Sequence, residues 1–235
     1  MARSVARLVT SAILGTVIVA GGLTAGSAPA SAASRSDCRV KNVTQSTWFA
    51  SHSGRALTRA LEKAQDGDRL NVFGRCRGSF SIDKSVSLTG STNRREPTVL
   101  DGAGSTEPVV FVAERVTVVM TRLIITGGNV TARVGGGIQN GGDLTLRHSA
   151  VVRNRSASDG GGIYNFGELT LDRTLVSGNI AGGGGGGIFS EGVAVLNFSV
   201  VTHNRAATGG GILSVNLLTL NSTIVRGNIP DNCSC

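Results

Sequence analysis

Between Gly135 and Asn228 the apolar positions recur on a period far longer than a helical turn. Counted from Ile138, Ile163, Ile188 and Ile212, which lie 25, 25 and 24 residues apart, equal offsets carry equal kinds of residue. Offset six holds Leu144, Leu169, Ala194 and Leu218, and offset eight holds Leu146, Leu171, Leu196 and Leu220. Offset eleven is Ser149, Thr174, Ser199 and Thr223; offset thirteen is Val151, Val176, Val201 and Val225. Apolar residues two apart, set among Thr and Val, alternate as a half-buried strand does. No window shows the i, i+3, i+4, i+7 spacing of a helix. Self-similarity at about two dozen residues marks a solenoid, in which each coil buries its apolar side only against its neighbours. Short strands with glycine corners make that coil a rung of a parallel β-helix. Equivalent residues then stack about 4.8 Å apart, with the Ile, Leu and Val columns inside.

Polar signals repeat too. Each Ile follows a Gly triplet, as in Gly160-Gly161-Gly162-Ile163, and sixteen residues after it comes Asn154, Asn179, Asn204 or Asn228. Asn tolerates the left-handed region and bonds local backbone, which places it at a turn, and stacked copies predict an amide ladder. The glycine runs are not followed by Lys-Ser/Thr, so four near-equal copies point to geometry, not to a phosphate loop. The calcium-binding G-G-x-G-x-D form is absent as well.

The phrase Gly160 to Asn165, then Leu169-Thr170-Leu171, then Leu175-Val176-Ser177-Gly178-Asn179, resembles secreted bacterial right-handed parallel β-helix proteins of the pectin-lyase-like superfold. It is also similar to the GGxI and FxxN repeats of polymorphic outer-membrane adhesins, with Val in place of Phe. The resemblance covers roughly residues 48–232. It implies an all-β, right-handed parallel β-helix and, by fold alone, polysaccharide as the substrate or ligand class.

The chain divides into a leader and one domain of four segments. Residues 1–33 read as a signal peptide, with Arg3 and Arg7 ahead of an apolar run and Ala28-Pro29-Ala30 or Ala30-Ser31-Ala32 as cleavage sites. Residues 34–235 read as a single domain: a cap (34–73), irregular coils (74–134), the four regular repeats (135–228) and a tail (229–235), seven or eight rungs in all. Within the cap, Ser53 is the expected helix N-cap, Leu57, Ala60, Leu61 and Ala64 share a helical face, and Leu70 to Phe73 is the expected first strand. Irregular-coil strands are expected at 79–82, 86–88, 98–100, 109–112, 116–120 and 123–126, with Gly90, Gly102, Gly104 and Gly127-Gly128 at corners. In an exported chain the four cysteines favour disulfides. Cys38 and Cys76 pair most naturally, clamping the cap. A bridge between Cys233 and Cys235 is strained; a partner chain or a crossover to Cys38 or Cys76 are the alternatives.

Charge and chemistry narrow the function less. Lys and Arg exceed Asp and Glu by six after residue 34, and the whole surplus falls before residue 135, around Arg75, Arg77, Arg94, Arg95, Arg115 and Arg122. Such a surplus favours anionic polymers, while only 4% aromatic content leaves nothing for base stacking, so nucleic acid is not the expected partner. Asp143 and Glu168 share offset five and form the one candidate acidic pair, a weak catalytic or cation site. Arg147, Asp172, Asn197 and Asn221 share offset nine and form a candidate binding ladder, an ion pair continued by amides. The three histidines share no column. The expected protein is exported and non-catalytic, binding polysaccharide or cell-wall polymer at the cell surface, with no metal or other cofactor and no membrane span in the mature chain. A polysaccharide lyase or glycoside hydrolase is the alternative, with Ca²⁺ entering only for a lyase, and a self-associating structural protein is the second.

Overall fold

The alternation along each repeat resolves into strands that revisit the same three faces. The computed structural model describes residues 37–93, 95–102 and 105–235; the expected signal segment, Arg94 and Gly104 lie outside them. Three short strands open the coil: β1 (Cys38–Asn42), β2 (Thr47–Ser51) and, after the helix α1 (Arg55–Lys63), β3 (Arg69–Phe73). From β3 onward the chain lays down a parallel β-solenoid. The first sheet continues through Val86–Thr89, Thr117–Thr121, Asp143–Arg147, Glu168–Asp172, Val193–Asn197 and Leu218–Asn221, about six turns from first strand to last. A second sheet runs from Arg75–Arg77 to Ile224–Arg226 and a third from Phe80–Ile82 to Cys233–Ser234, each of seven strands in coil order. A small fourth sheet pairs Asn129–Val130, Arg155–Ser156 and Ile180–Ala181.

The columns expected from the repeat are the core. Ile138, Ile163, Ile188 and Ile212 stand in register and are fully buried. So are Leu144 over Leu169 over Ala194, and Val151 over Val176 over Val201. In the last coil Ile212 stays buried, but Leu218 and Val225 are only partly covered and Leu220 is 41% exposed.

In the regular coils the turns after the first sheet, after the second and ahead of the third each carry a residue at positive φ, while the turn from the third sheet back to the first, as at Gly141-Gly142, has none. Between the first and second sheets these are Arg122, His148, Arg173, Phe198 and Ser222, at φ 48 to 57°. Past the second sheet they are Gly127, Arg153, Gly178, His203 and Gly227, and ahead of the third they are Gly135, Gly160, Gly185 and Gly209. The recurring Asn is therefore not itself left-handed: the residue before it is. Its role is carried by the side chain. Asn154, Asn179, Asn204 and Asn228 are buried, and each accepts, on Oδ1, the backbone N–H of the Asn one coil earlier, at 2.9 Å in all three steps. Nδ2 of each donates along the same column, at 3.0–3.1 Å. Gly128 N–H begins the ladder on Asn154 Oδ1, and Asn232 Oδ1 ends it by accepting from Asn228.

Two further ladders occupy the other corners. Ser149, Thr174, Ser199 and Thr223 accept the backbone N–H of the coil before, and return their own hydroxyls to carbonyls two residues back. Asn140 Nδ2 donates to Asn165 Oδ1 at 2.7 Å, and Asn165 Nδ2 to Ser190 Oγ at 3.0 Å, all three residues fully buried. A corner breaks the strand ladder and leaves backbone groups dry, so a buried polar side chain must complete them.

The N-terminal end is closed differently from the expectation. β1 pairs antiparallel with both β2 and β3, so Leu70–Phe73 belongs to the third strand of the chain, not the first. α1 packs Ala56, Leu57, Ala60 and Leu61 against the core. Its N-cap is Gly54, not Ser53, and Ser51 Oγ accepts the Ala56 N–H at 2.9 Å. Cys38 is joined to Cys76, tying β1 to the second sheet, with Cα atoms 4.7 Å apart. Cys233 is joined to Cys235 within the chain, not crossed over to Cys38 or Cys76. The described residues form one compact unit.

Asp68 locks this cap. Its buried carboxylate accepts from Asn42 Nδ2 at 2.7 Å, Gln45 Nε2 at 2.7 Å and Gln65 N–H at 2.9 Å, joining the β1–β2 turn to the exit of α1. Burial alone would raise its pKa, but the hydrogen bonds from Gln65, Asn42, Gln45 and Thr44 outweigh it and hold the group below its ordinary 3.8. A depressed folded-state pKa adds stability that is complete above 3.8 and is lost as pH falls through the lower value. Asp68→Asn should cost about 2 kcal/mol at neutral pH. In urea unfolding from about pH 6 to pH 2, the gap between variant and wild type should close at the acid end. A gap that stays constant would show that the charge of Asp68 contributes nothing.

Candidate functional site

The outer surface of the first sheet is built by the residues between the buried Leu positions. Its central column reads Ser87, Val119, Thr145, Thr170, Val195 and Thr219 in direct register. Beside it run Thr89, Thr121, Arg147, Asp172, Asn197 and Asn221. Parallel strands keep these side chains pointing outward at every second position, about 4.8 Å apart along the solenoid. The result is a long face of mostly short hydroxyl, amide and β-branched side chains.

The structure brings the candidate residues together only in part. Asp143 and Glu168 are in register on adjacent coils, and the next place in their column is Val193. No third acid joins them. Among the described residues, no group of three or more His, Cys, Asp or Glu side chains converges in a way that could hold a metal ion. Arg147 stands over Asp172, but the ion pair that Asp172 makes is with its neighbour Arg173, at 3.1 Å, in place of the expected Arg147 pairing. Arg173 in turn lies over the Phe198 ring, 5.2 Å from its centroid. The amide continuation is present: Asn221 Nδ2 donates to Asn197 Oδ1 at 2.8 Å.

The described basic residues of the N-terminal half are spread over different elements. Arg75 pairs with Asp101 at 2.6 Å from the second sheet, with Arg77 at 3.9 Å from the same oxygen. Arg115 and Arg122 sit at positive-φ corners. His52 reaches Asp37 at 3.0 Å and His203 reaches Thr202 Oγ1 at 2.9 Å, so the histidines remain apart.

One column escaped the sequence reading. The outward positions of the third sheet read Ser81, Phe111, Gln139, Tyr164, Phe189 and Leu213. Tyr164 stacks on Phe189 with centroids 4.9 Å apart and planes 11° from parallel, and tilts against Phe166 at 4.6 Å. Burial, then the hydrogen bond to Glu191 and the charges of Glu191 and Asp159, push the Tyr164 phenol above its ordinary range. It stays protonated at any physiological pH and acts as a stacked hydrogen-bond donor. The signal was available as a period-25 aromatic recurrence, Tyr164 to Phe189, but it continues only through the irregular coils to Phe111.

Compared with known proteins, the chain matches no family model, no curated protein and no solved structure. What its fold and faces define is a disulfide-bonded parallel β-solenoid with a helix-and-hairpin cap at its N-terminal end. Among the described residues, no helix is long and apolar enough to cross a membrane.

Proposed function

We propose that this is an exported, right-handed β-helix, related in architecture to the pectin-lyase-like superfold, that binds polysaccharide or cell-wall polymer without cleaving it. The observation that carries the reading is the outer face of the first sheet, where seven parallel strands repeat hydroxyl and amide groups along one axis. A linear polymer of repeating hydroxyls meets such a face with the same contact again and again, so weak contacts add along its length. Export supports it: residues 1–33 have the composition of a cleaved signal, and both disulfides suit an oxidising compartment. The direct register of Asp143 and Glu168 is the observation that favours a lyase or hydrolase instead.

Labelled neutral and anionic polysaccharides, incubated with the mature protein with and without Ca²⁺ and run on a sizing column, test the choice. Intact chains should co-elute with the protein, and Thr170→Arg, which places a long charged side chain in the middle of the face, should abolish retention. Shortened chains would overturn the binding reading, and Asp143→Ala and Glu168→Ala would then be expected to stop the cleavage. Retention that Thr170→Arg leaves untouched would move the site off this face.

A further inference from the structure

We infer that a cavity of about 200 Å³ on the third sheet is a subsite for one uncharged sugar ring. Its base is the N-terminal part of the aromatic column, Ser81, Phe111 and Gln139, successive outward residues on three coils. The Glu107–Arg133 ion pair, at 2.9 Å and about half exposed on both sides, forms its rim. The volume is below the roughly 300–1,000 Å³ of sites for drug-sized ligands, which suits one ring and not a chain.

The chemistry of the lining selects the ring. Phe111 offers a flat apolar surface, the complement of the C–H face of a pyranose. Gln139 Oε1 is buried and has no hydrogen-bond partner; it is the one buried side-chain nitrogen or oxygen so placed among the described residues. Native structures pair nearly all such groups, and an unpaired one asks for a donor. Its neighbours in the column, Phe111 and Tyr164, supply none that reaches it. That oxygen is closed to solvent, so a ligand hydroxyl or amide N–H reaches it once the Gln139 side chain turns into the cavity it lines. The rim presents a carboxylate acceptor and a guanidinium donor side by side, an arrangement that vicinal hydroxyls satisfy together. The paired rim is neutral overall and offers a charged ring no net attraction: an acid meets Glu107 beside Arg133, and an amine meets Arg133 beside Glu107. The subsite rests on the polymer-binding reading above, because the third sheet runs directly into the first. The strand Phe80–Ile82 is followed by Val86–Thr89, so a terminal or branching residue of a polymer on the first sheet has a short path to it.

The test is a titration of the mature protein with methyl β-glucoside, methyl β-galactoside and galacturonate, read by the NMR signals of the Gln139 side-chain amide and the Phe111 ring. A neutral glycoside should shift both signals and galacturonate neither. Phe111→Ala should weaken that binding by at least about tenfold. Gln139→Leu should abolish it while raising the thermal midpoint, because the unpaired acceptor gives way to an apolar side chain between two aromatic rings. The inference is overturned if neither neutral glycoside moves these signals, or if Gln139→Leu binds as wild type does. Polymer retention measured on the same proteins separates the two readings. Polymer held equally by wild type and Gln139→Leu, without glycoside shifts, removes the subsite and keeps the polymer face. Glycoside shifts without polymer retention do the reverse.

Discussion

Asn179→Ala should lower the stability of the domain by about 4 kcal/mol, the sum expected for two buried donors stripped of their acceptor. Asn179 Oδ1 receives both the backbone N–H and one Nδ2 proton of Asn154, and its own Nδ2 donates to Asn204 Oδ1 and to the Val151 carbonyl. Alanine removes all of these at a fully buried site. The informative partner is Asn197→Ala. Asn197 also lies in an asparagine column, accepting from Asn221 Nδ2, but on the exposed outer face. It should change stability by no more than about 0.5 kcal/mol. Urea unfolding of the two variants gives the answer, with the m-value reporting whether the coil stays cooperative. Equal small effects would mean that the inner amides are bonded in the structure yet contribute nothing net, as if water served them equally well.

The contrast also explains what the sequence could and could not reveal. A column is legible when its residue type recurs, and Asn154, Asn179, Asn204 and Asn228 do recur. The inner ladder at the opposite corner holds equally buried groups, but it changes from Asn140 and Asn165 to Ser190, two chemistries performing one task, and so it passes unread. The corner residues at positive φ were hidden for a similar reason. His148, Arg173, Phe198 and Ser222 share a backbone conformation and nothing else. The β1–β2 hairpin has no copy elsewhere in the chain, so periodicity carries no information about it. The proposed binding face was legible as a register of outward columns, since Asp143 over Glu168 and Arg147 over Asp172 follow from the period alone. Which neighbour each charge chooses does not follow: Asp172 turns to Arg173 along the chain and not to Arg147 across it. The Phe111–Gln139 cavity lay further out of reach, because it spans coils of unequal length before the repeat becomes regular.

The glycine triplets carry the second large effect, and they separate two meanings of the same residue. Gly162→Ala should destabilise by about 3 kcal/mol, the upper part of the usual range for overpacking. A Cβ at this position would stand 2.5 Å from the Gly187 carbonyl oxygen of the next coil and 2.9 Å from Asn179 Nδ2. Neither can yield: the first accepts the Ile163 N–H, and the second belongs to the buried ladder. Gly178 is the counter-case. It is left-handed, at φ +67°, but its Cβ would meet nothing closer than the Arg153 side chain at 3.6 Å. Arg153 and His203, its equivalents one coil to either side, already hold that conformation with full side chains, each at φ +55°. Gly178→Asn should therefore lie within about 0.5 kcal/mol of wild type, since Asn tolerates the left-handed region best among residues with a side chain. Thermal unfolding of the pair separates close approach, the reason for glycine at the third place of the triplet, from left-handed backbone, the condition at Gly178. If both variants lose several kcal/mol, the left-handed backbone at Gly178 demands glycine as strictly as the close approach does at Gly162. If only Gly162→Ala does, the triplet is there to let one coil lie against the next, and the spacing that aligns the outer columns of the first sheet depends on it.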